Sequence, residues 1–161
     1  MNHSVFALDM SNNALKVYRS IHNTQEEIIQ GTIFSIPTKN FSFDGIYHLG
    51  VMEHFTKDEI KQILSEFERI LKNDGKMIVF WPPKFGLSVI ALKIIHFMLN
   101  KILRLNIKLH PDEITLIESK KHAQNIFSES NFKIIDYSFG YYDLFTYCML
   151  VVQKDKKEKD K

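Results

Sequence analysis

The chain reads as an α/β protein built on a mostly parallel sheet, closed by a late antiparallel hairpin. Three observations carry that expectation. Asp44 to Leu49 is an apolar strand that runs straight into a polar tip, Gly50 to Phe55. Thr56-Lys57-Asp58-Glu59 follows at once as a capping box, with Thr56 accepting from the amide of Glu59 and Glu59 reaching back. Lys76 to Trp81 is then a continuously apolar strand, of the kind buried on both faces in a parallel sheet. Strands alternating with helices at this rhythm imply βαβ units and right-handed crossovers.

The elements follow in order. Val5 to Leu8 is a short apolar strand ending in Asp9, and Ser11 caps a helix on which Ala14, Leu15, Tyr18 and Ile21 recur at helical spacing. Glu26 to Gly31 is a second short strand, and Thr32 to Pro37 is the loop after it, where Pro37 keeps Ile36 out of helix. The helix opened by the capping box places Ile60, Ile63, Leu64, Phe67, Ile70 and Leu71 on one face, and Gly75 after Asn73-Asp74 is expected to stop it. Pro82-Pro83 ends the strand at Trp81, an aromatic expected in the core. Ser119 caps a further helix through Ala123, Ile126 and Phe127, and Asn131 is the expected left-handed stop before a strand from Phe132 to Tyr137. A turn over Phe139 to Asp143 leads to a last apolar strand, Phe145 to Val152.

Composition narrows the function classes. A chain of 161 residues suits one domain, and at that size folding buries roughly two-thirds of the unfolded surface. The net charge is +2, and the last eight residues carry five Lys against three acids, so the body is neutral and offers no case for nucleic acid. Residues 154–161 are therefore expected as a solvated, disordered Lys-rich tail behind a domain spanning 1–153. The single cysteine, Cys148, excludes an internal disulfide and a multi-Cys metal site, and it fits a reducing compartment as a buried thiol. No metal site is expected, because no His or carboxylate pair stands at helical ligand spacing beside a third ligand. No signal sequence opens the chain and no uncharged apolar run approaches the ~20 residues of a spanning helix. A cytoplasmic protein is the expectation.

The middle of the chain resembles a known family. Phe43 to His54, with Ser35-Ile36-Pro37 before it and Leu71 to Phe80 after it, is similar in order and spacing to the middle and later motifs of class I S-adenosylmethionine-dependent methyltransferases, type 11. The resemblance runs from about Val5 to about Gln153 and implies a Rossmann-like sheet whose last strand is antiparallel and inserted between two earlier ones. That family opens with a strand and a glycine-rich turn holding the methionine end of the cofactor. All six glycines here are isolated, with no G-x-G, so the first βα unit is expected to be missing. A sheet lacking its central strand would leave two edges unpaired, to be filled by polypeptide upstream of Met1, by rearranged strands, or by a second copy in a homodimer.

The resemblance also implies a site, with S-adenosylmethionine as cofactor. Asp9, at the end of its strand, is the candidate for the ribose hydroxyls, with Met10 beside it. A carboxylate accepts from both hydroxyls, although an aspartate in this position also commonly just opens a turn ahead of a helix. Ile33 and Leu49 would flank the adenosine, and Gly50 would let the backbone approach the methionine end. Thr32 stands where the family often has an acid for the adenine amino group, and a neutral hydroxyl makes the weaker bond. His54, at the tip of the strand with His48 behind it, is the candidate base, since imidazole takes up a proton near neutral pH. The plainer reading of His54 is a loop residue satisfying backbone groups.

Residues 84–111 interrupt the strand–helix rhythm as an insertion. No acid occurs between Asp74 and Asp112, while Lys76, Lys84, Lys93, Lys101, Arg104 and Lys108 are basic. As one helix, Lys93, His96, Asn100, Lys101, Arg104 and Lys108 would form a narrow stripe beside a wide apolar face. Three roles fit that pattern: a cap burying its apolar face on the domain, a lid over a hydrophobic acceptor molecule, or a helix lying on an anionic membrane surface as a peripheral protein.

Overall fold

A computed structural model describes residues 4–22, 28–108, 111–141 and 144–155. In chain order the elements are β1 (Ala7–Asp9), α1 (Asn12–His22), β2 (Ile28–Gln30), β3 (Phe43–Leu49), a 3-10 turn (Met52–His54), α2 (Lys57–Ile70), β4 (Leu71–Trp81), α3 (Leu87–Phe97), a π turn (Met98–Ile102), α4 (Lys120–Phe127), β5 (Phe132–Ser138) and β6 (Cys148–Lys154). Glu26 and Glu27, expected in the second strand, lie outside the described residues, as do Tyr142, Asp143 and residues 156–161. Lys154, expected in the tail, is the last residue of β6, and its Nζ donates to the Leu71 carbonyl at 2.5 Å.

The strands form two sheets. β1 and β2 pair in parallel, and a second sheet has the order β3-β4-β6-β5. There β3 and β4 are parallel, while β6 runs antiparallel to both of its neighbours. The inserted antiparallel last strand is thus present. It tolerates that central place because Cys148, Leu150 and Val152 are fully buried, leaving little polar surface to be lost between neighbouring strands. β1 and β3 each pair along one edge only among the described residues, and their other edges face a common cleft.

The core is carried by α2. Ile60, Ile63, Leu64, Phe67 and Ile70 recur at helical spacing and join one buried cluster with Met77, Val79, Trp81, Leu150 and Val152. The helix starts as the sequence implies: Thr56 Oγ1 accepts from the Glu59 amide at 3.4 Å, and Glu59 Oε2 accepts from the Thr56 amide at 2.8 Å. Near its other end Arg69 donates to the Ile36 carbonyl at 2.8 Å, the Thr38 carbonyl at 2.7 Å and Asn40 Oδ1 at 2.9 Å. Glu66 holds the same guanidinium and also accepts from the Ile36 amide at 2.5 Å. These bonds fasten the loop from Ile36 to Asn40, next to the cleft, onto the helix.

Several local expectations are corrected. The helix ends at Ile70, not at Gly75, and Leu71 is already extended at φ −75° and ψ 138°. Leu71 sits at helical spacing but is buried as a strand residue opposite Phe43, and the register then jumps to Gly45 opposite Lys76. The intervening bulge packs so tightly that a Cβ on Gly75 would lie 2.8 Å from Leu71 Cδ2 and 3.0 Å from the Asp44 carbonyl, which is why glycine stands there. Asn131 is absent from the positive-φ residues; its side-chain Nδ2 instead donates to Glu68 Oε1 at 2.7 Å.

The largest departure is in the insertion. Of the residues in α3 only Val89 is buried, so the wide apolar face is not packed on the domain. Nor does one helix run through it: after the π turn the backbone reverses, with Arg104 and Asn106 left-handed at φ 53° and 50°. Arg104 and Lys108 therefore leave the helical stripe predicted for them.

Candidate functional site

The cleft between the two sheets has a volume of about 880 Å³, within the ~300–1,000 Å³ range of small-molecule sites. β1, β2, β3 and the loop from Gly31 to Ile36 surround it. Asp9, Met10, Thr32, Ile33 and Leu49 all line it, although they come from three separate stretches of sequence. Gly50 and His54 are not among its lining residues.

Asp9 and Thr32 are placed by local hydrogen bonds. Asp9 caps the turn into α1: its Oδ1 accepts from the Ser11 amide at 2.6 Å, and Ser11 Oγ accepts from the Ala14 amide at 3.3 Å. The turn-opening role read as the alternative is thus real, and it fixes the carboxylate while leaving Oδ2 without a partner among the described residues. The Gly31 amide donates to the Asp9 carbonyl at 3.1 Å, holding the end of β2 beside the tip of β1. Thr32 Oγ1 accepts from the Phe34 amide at 3.3 Å, so its hydroxyl shapes the loop and keeps one lone pair. Met10 is 72% and Leu49 56% exposed, an unusual condition for apolar side chains at two strand ends facing one space.

Gly50 shapes the turn at the tip of β3. It adopts φ +64°, donates to the Phe80 carbonyl at 3.1 Å, and a Cβ there would lie 3.2 Å from Glu53 Oε1. Only glycine takes that left-handed turn without strain, and the turn is what swings the chain from β3 toward α2.

His54 is tied down. Its Nδ1 lies 2.9 Å from the Asp112 carbonyl, which can only accept, so in the neutral ring Nδ1 carries the proton and Nε2 is the basic nitrogen. Nε2 is 3.9 Å from Glu53 Oε1. Glu53 is buried at 4% exposure and its Oε2 has no partner among the described residues. Burial pushes its carboxyl above the usual range, against the pull of a backbone hydrogen bond and of His54. Tyr147, which sequence reasoning left inside an apolar strand, brings its hydroxyl to the same place, 3.5 Å from where a Gly50 Cβ would be. Burial raises its phenol, with the charges of Glu53 and Glu113 adding to the effect. Its one sequence signal is a hydroxyl within an otherwise apolar run. Among the described residues no three of His, Cys, Asp and Glu converge as a metal site.

His48 is buried in the wall of the cleft, its ring 6.0 Å from that of Phe67, and neither ring nitrogen has a hydrogen-bond partner among the described residues. Burial lowers its pKa to about 4. Because the unfolded chain binds this proton from ~6.5 downward, His48 makes the fold lose stability as pH falls from about 6.5 to about 4, by up to about 3 kcal/mol. Glu53 acts in the opposite sense: with its folded value raised, stability falls as pH rises from the ordinary carboxyl range toward that value. Urea unfolding of His48→Phe in a Glu53→Gln background should therefore show little dependence on pH between 4 and 6.5, whereas Glu53→Gln alone loses stability on acidification. Parallel pH profiles for the two proteins would contradict this assignment.

Comparison with known proteins follows this geometry. A family model described as a methyltransferase domain, type 11, matches residues 1–79, just under half of the chain. The match to that family is therefore confined to the first part of the chain, from the N-terminus to within β4. No curated protein matches the sequence. The fold is similar to that of a SAM-dependent methyltransferase from Methanosarcina mazei, at 12% identity and TM-score 0.66, covering 91% of this chain and 80% of that one. It is also similar to the PH0226 protein of Pyrococcus horikoshii, at 19% identity and TM-score 0.64, over 95% of this chain and 72% of that one. A third similar structure is the 1,6-didemethyltoxoflavin-N1-methyltransferase of Burkholderia thailandensis, solved with its substrate and S-adenosylhomocysteine, at 12% identity and TM-score 0.65, over 94% and 61% of the two chains. The chain thus has a Rossmann-like α/β fold similar to that of methyltransferases, and the cleft runs between the edges of β1 and β3 along their length, reaching Asp9 and Leu49 at their carboxyl ends.

Proposed function

We propose that this chain belongs to the methyltransferase family its first part matches, binds S-adenosylmethionine in the β1–β3 cleft and transfers its methyl group to a small, apolar molecule. The observation that carries the reading is the convergence of Asp9, Thr32, Ile33 and Leu49 on one cleft of suitable size. The adenosine half fits these residues. Asp9 presents a carboxylate oriented by Ser11 to the ribose hydroxyls, Ile33 and Leu49 offer apolar surface to the two faces of adenine, and Thr32 retains an acceptor for its amino group. When bound, the cofactor supplies an electrophilic methyl on a sulfonium. The chain's own part is to hold the acceptor in line with it and exclude water, which is where most of such a rate enhancement arises. An apolar acceptor is supported by Tyr47, Val51 and Phe55 in the cleft wall.

A second reading is a non-catalytic interaction module on the same scaffold, and it rests on the two strand edges, those of β1 and β3, that flank the cleft. In that case the cleft takes an extended segment, from a second copy among other sources, in place of a nucleoside. Calorimetric titration of the full chain with S-adenosylmethionine separates the two. Saturable one-to-one binding is expected, and the absence of heat at millimolar ligand would overturn the enzyme reading in favour of the module.

A further inference from the structure

We propose that residues 85–108 form an arm that docks the protein on the surface of an anionic lipid bilayer. This goes beyond methyl transfer and is independent of it. The arm is a built structure with its apolar side outward. Ile90, Ile94, Phe97, Met98, Ile102 and Leu103 are between 44% and 62% exposed. At ~100° per residue Ile94 and Met98 lie on the side of α3 away from Val89, the one residue of the helix that is buried, with Ile90 nearer the boundary and Lys93 on the side of Val89. The far end of the arm is pinned: Asn100 Nδ2 donates to the Ile107 carbonyl at 2.9 Å and Asn100 Oδ1 accepts from the Ile107 amide at 2.7 Å. An outward apolar face held in a defined shape marks an interaction surface.

Charge selects the occupant. The arm, residues 85–108, contains four basic residues, Lys93, Lys101, Arg104 and Lys108, and no acid. Lys93, Lys101 and Arg104 make no ion pair among the described residues, while Lys108 is paired with Asp112 at 2.8 Å. A second copy would set this basic face against itself, which like charges oppose. A nucleic acid would find two aromatic rings, Phe97 and a Phe85 already packed edge-on against Phe139, on a face that is otherwise aliphatic, a poor stacking platform. An anionic bilayer satisfies both features at once, taking the aliphatic side chains into the acyl boundary and the lysines and arginine at the headgroups. No helix among the described residues is long and apolar enough to cross a membrane, so the arm would lie on the surface.

The test is sedimentation of the full chain with vesicles of phosphatidylcholine alone and of phosphatidylcholine mixed with phosphatidylserine. Binding to the mixed vesicles should be about tenfold tighter or more, and should fall as salt is raised above about 0.1 M. Ile94→Ser with Met98→Ser, and separately Lys101→Glu with Arg104→Glu, should each release the protein from mixed vesicles; all four positions are solvent-facing or half-exposed, so the fold is retained. Leu103→Trp adds an independent readout, a blue shift of its fluorescence with mixed vesicles but not with neutral ones. Equal recovery with both vesicles overturns the proposal. So does lipid-free dimerisation abolished by Ile94→Ser, which would make the face an interface between copies.

Discussion

Trp81→Ala is expected to remove most of the stability of this protein. The indole is fully buried at the end of β4, and its Nε1 donates to the Thr115 carbonyl at 2.7 Å. Truncating a buried aromatic to alanine costs about 3–5 kcal/mol through lost contacts and the cavity left behind. Stranding a buried carbonyl adds about 1–3 kcal/mol. Native domains are stable by only about 5–15 kcal/mol, so the variant should be largely unfolded or close to it. The bond also has a positional role. Thr115 Oγ1 donates to the Phe55 carbonyl at 2.7 Å, and the Thr115 and Ile114 amides both donate to the Glu53 carbonyl, so Trp81 anchors the segment that braces the tip of β3. Trp81→Phe keeps most of the volume and removes only the donor, and urea denaturation should place it between wild type and alanine. A cost below about 1 kcal/mol for Trp81→Ala would contradict this description of the core.

The second large effect is on ligand affinity. Asp9→Ala should weaken S-adenosylmethionine binding by about 1.5–3 kcal/mol, roughly tenfold to over a hundredfold, through loss of a charged hydrogen-bond acceptor. Asp9 also holds the Ser11 amide, so alanine alone would confound a ligand contact with a damaged turn. Asp9→Asn separates the two, because its side-chain oxygen still opens the turn while the charge is lost. If Asp9 acts on the ribose, both variants lose affinity in the calorimeter. Full affinity in Asp9→Asn would reduce Asp9 to a turn residue.

Much of the fold was legible because its signals are local. A capping box fixes where α2 begins, five apolar residues at helical spacing fix which of its faces is buried, and the apolar run from Lys76 to Trp81 reads as a buried strand wherever it is found. What was not legible depends on partners distant in sequence. Leu71 has helical spacing and strand burial, and only the pairing with Phe43 decides between them. Gly75 looks like a helix stop and is in fact the one residue small enough to pass Leu71 and the Asp44 carbonyl. The division into two sheets follows from which edges pair, and no periodicity encodes that. In the insertion no glycine or proline between Leu87 and Lys108 announces the reversal at Arg104 and Asn106, so a single continuous helix was the natural reading and was wrong.

The site divides in the same way. Asp9, Met10, Thr32, Ile33 and Leu49 were singled out through a family resemblance, and the fold gathers them on one cleft. Gly50 and His54 stand at the same strand tip but are not among the residues lining the cleft; Gly50 makes the left-handed turn there and His54 is bonded to the Asp112 carbonyl. Tyr147 and the buried Glu53 carboxyl beside them needed the antiparallel β6 to bring them within reach, and strand register is invisible in a single sequence.

The claim on which the rest depends is that the cleft between β1 and β3 receives the adenosine of the cofactor. A crystal structure of the full chain with S-adenosylhomocysteine tests it most directly. The expected result is adenine between Ile33 and Leu49 with the ribose hydroxyls on the Asp9 carboxylate. Ligand bound away from these residues, or a polypeptide strand paired to β1 and β3 in the place of the nucleoside, would contradict it.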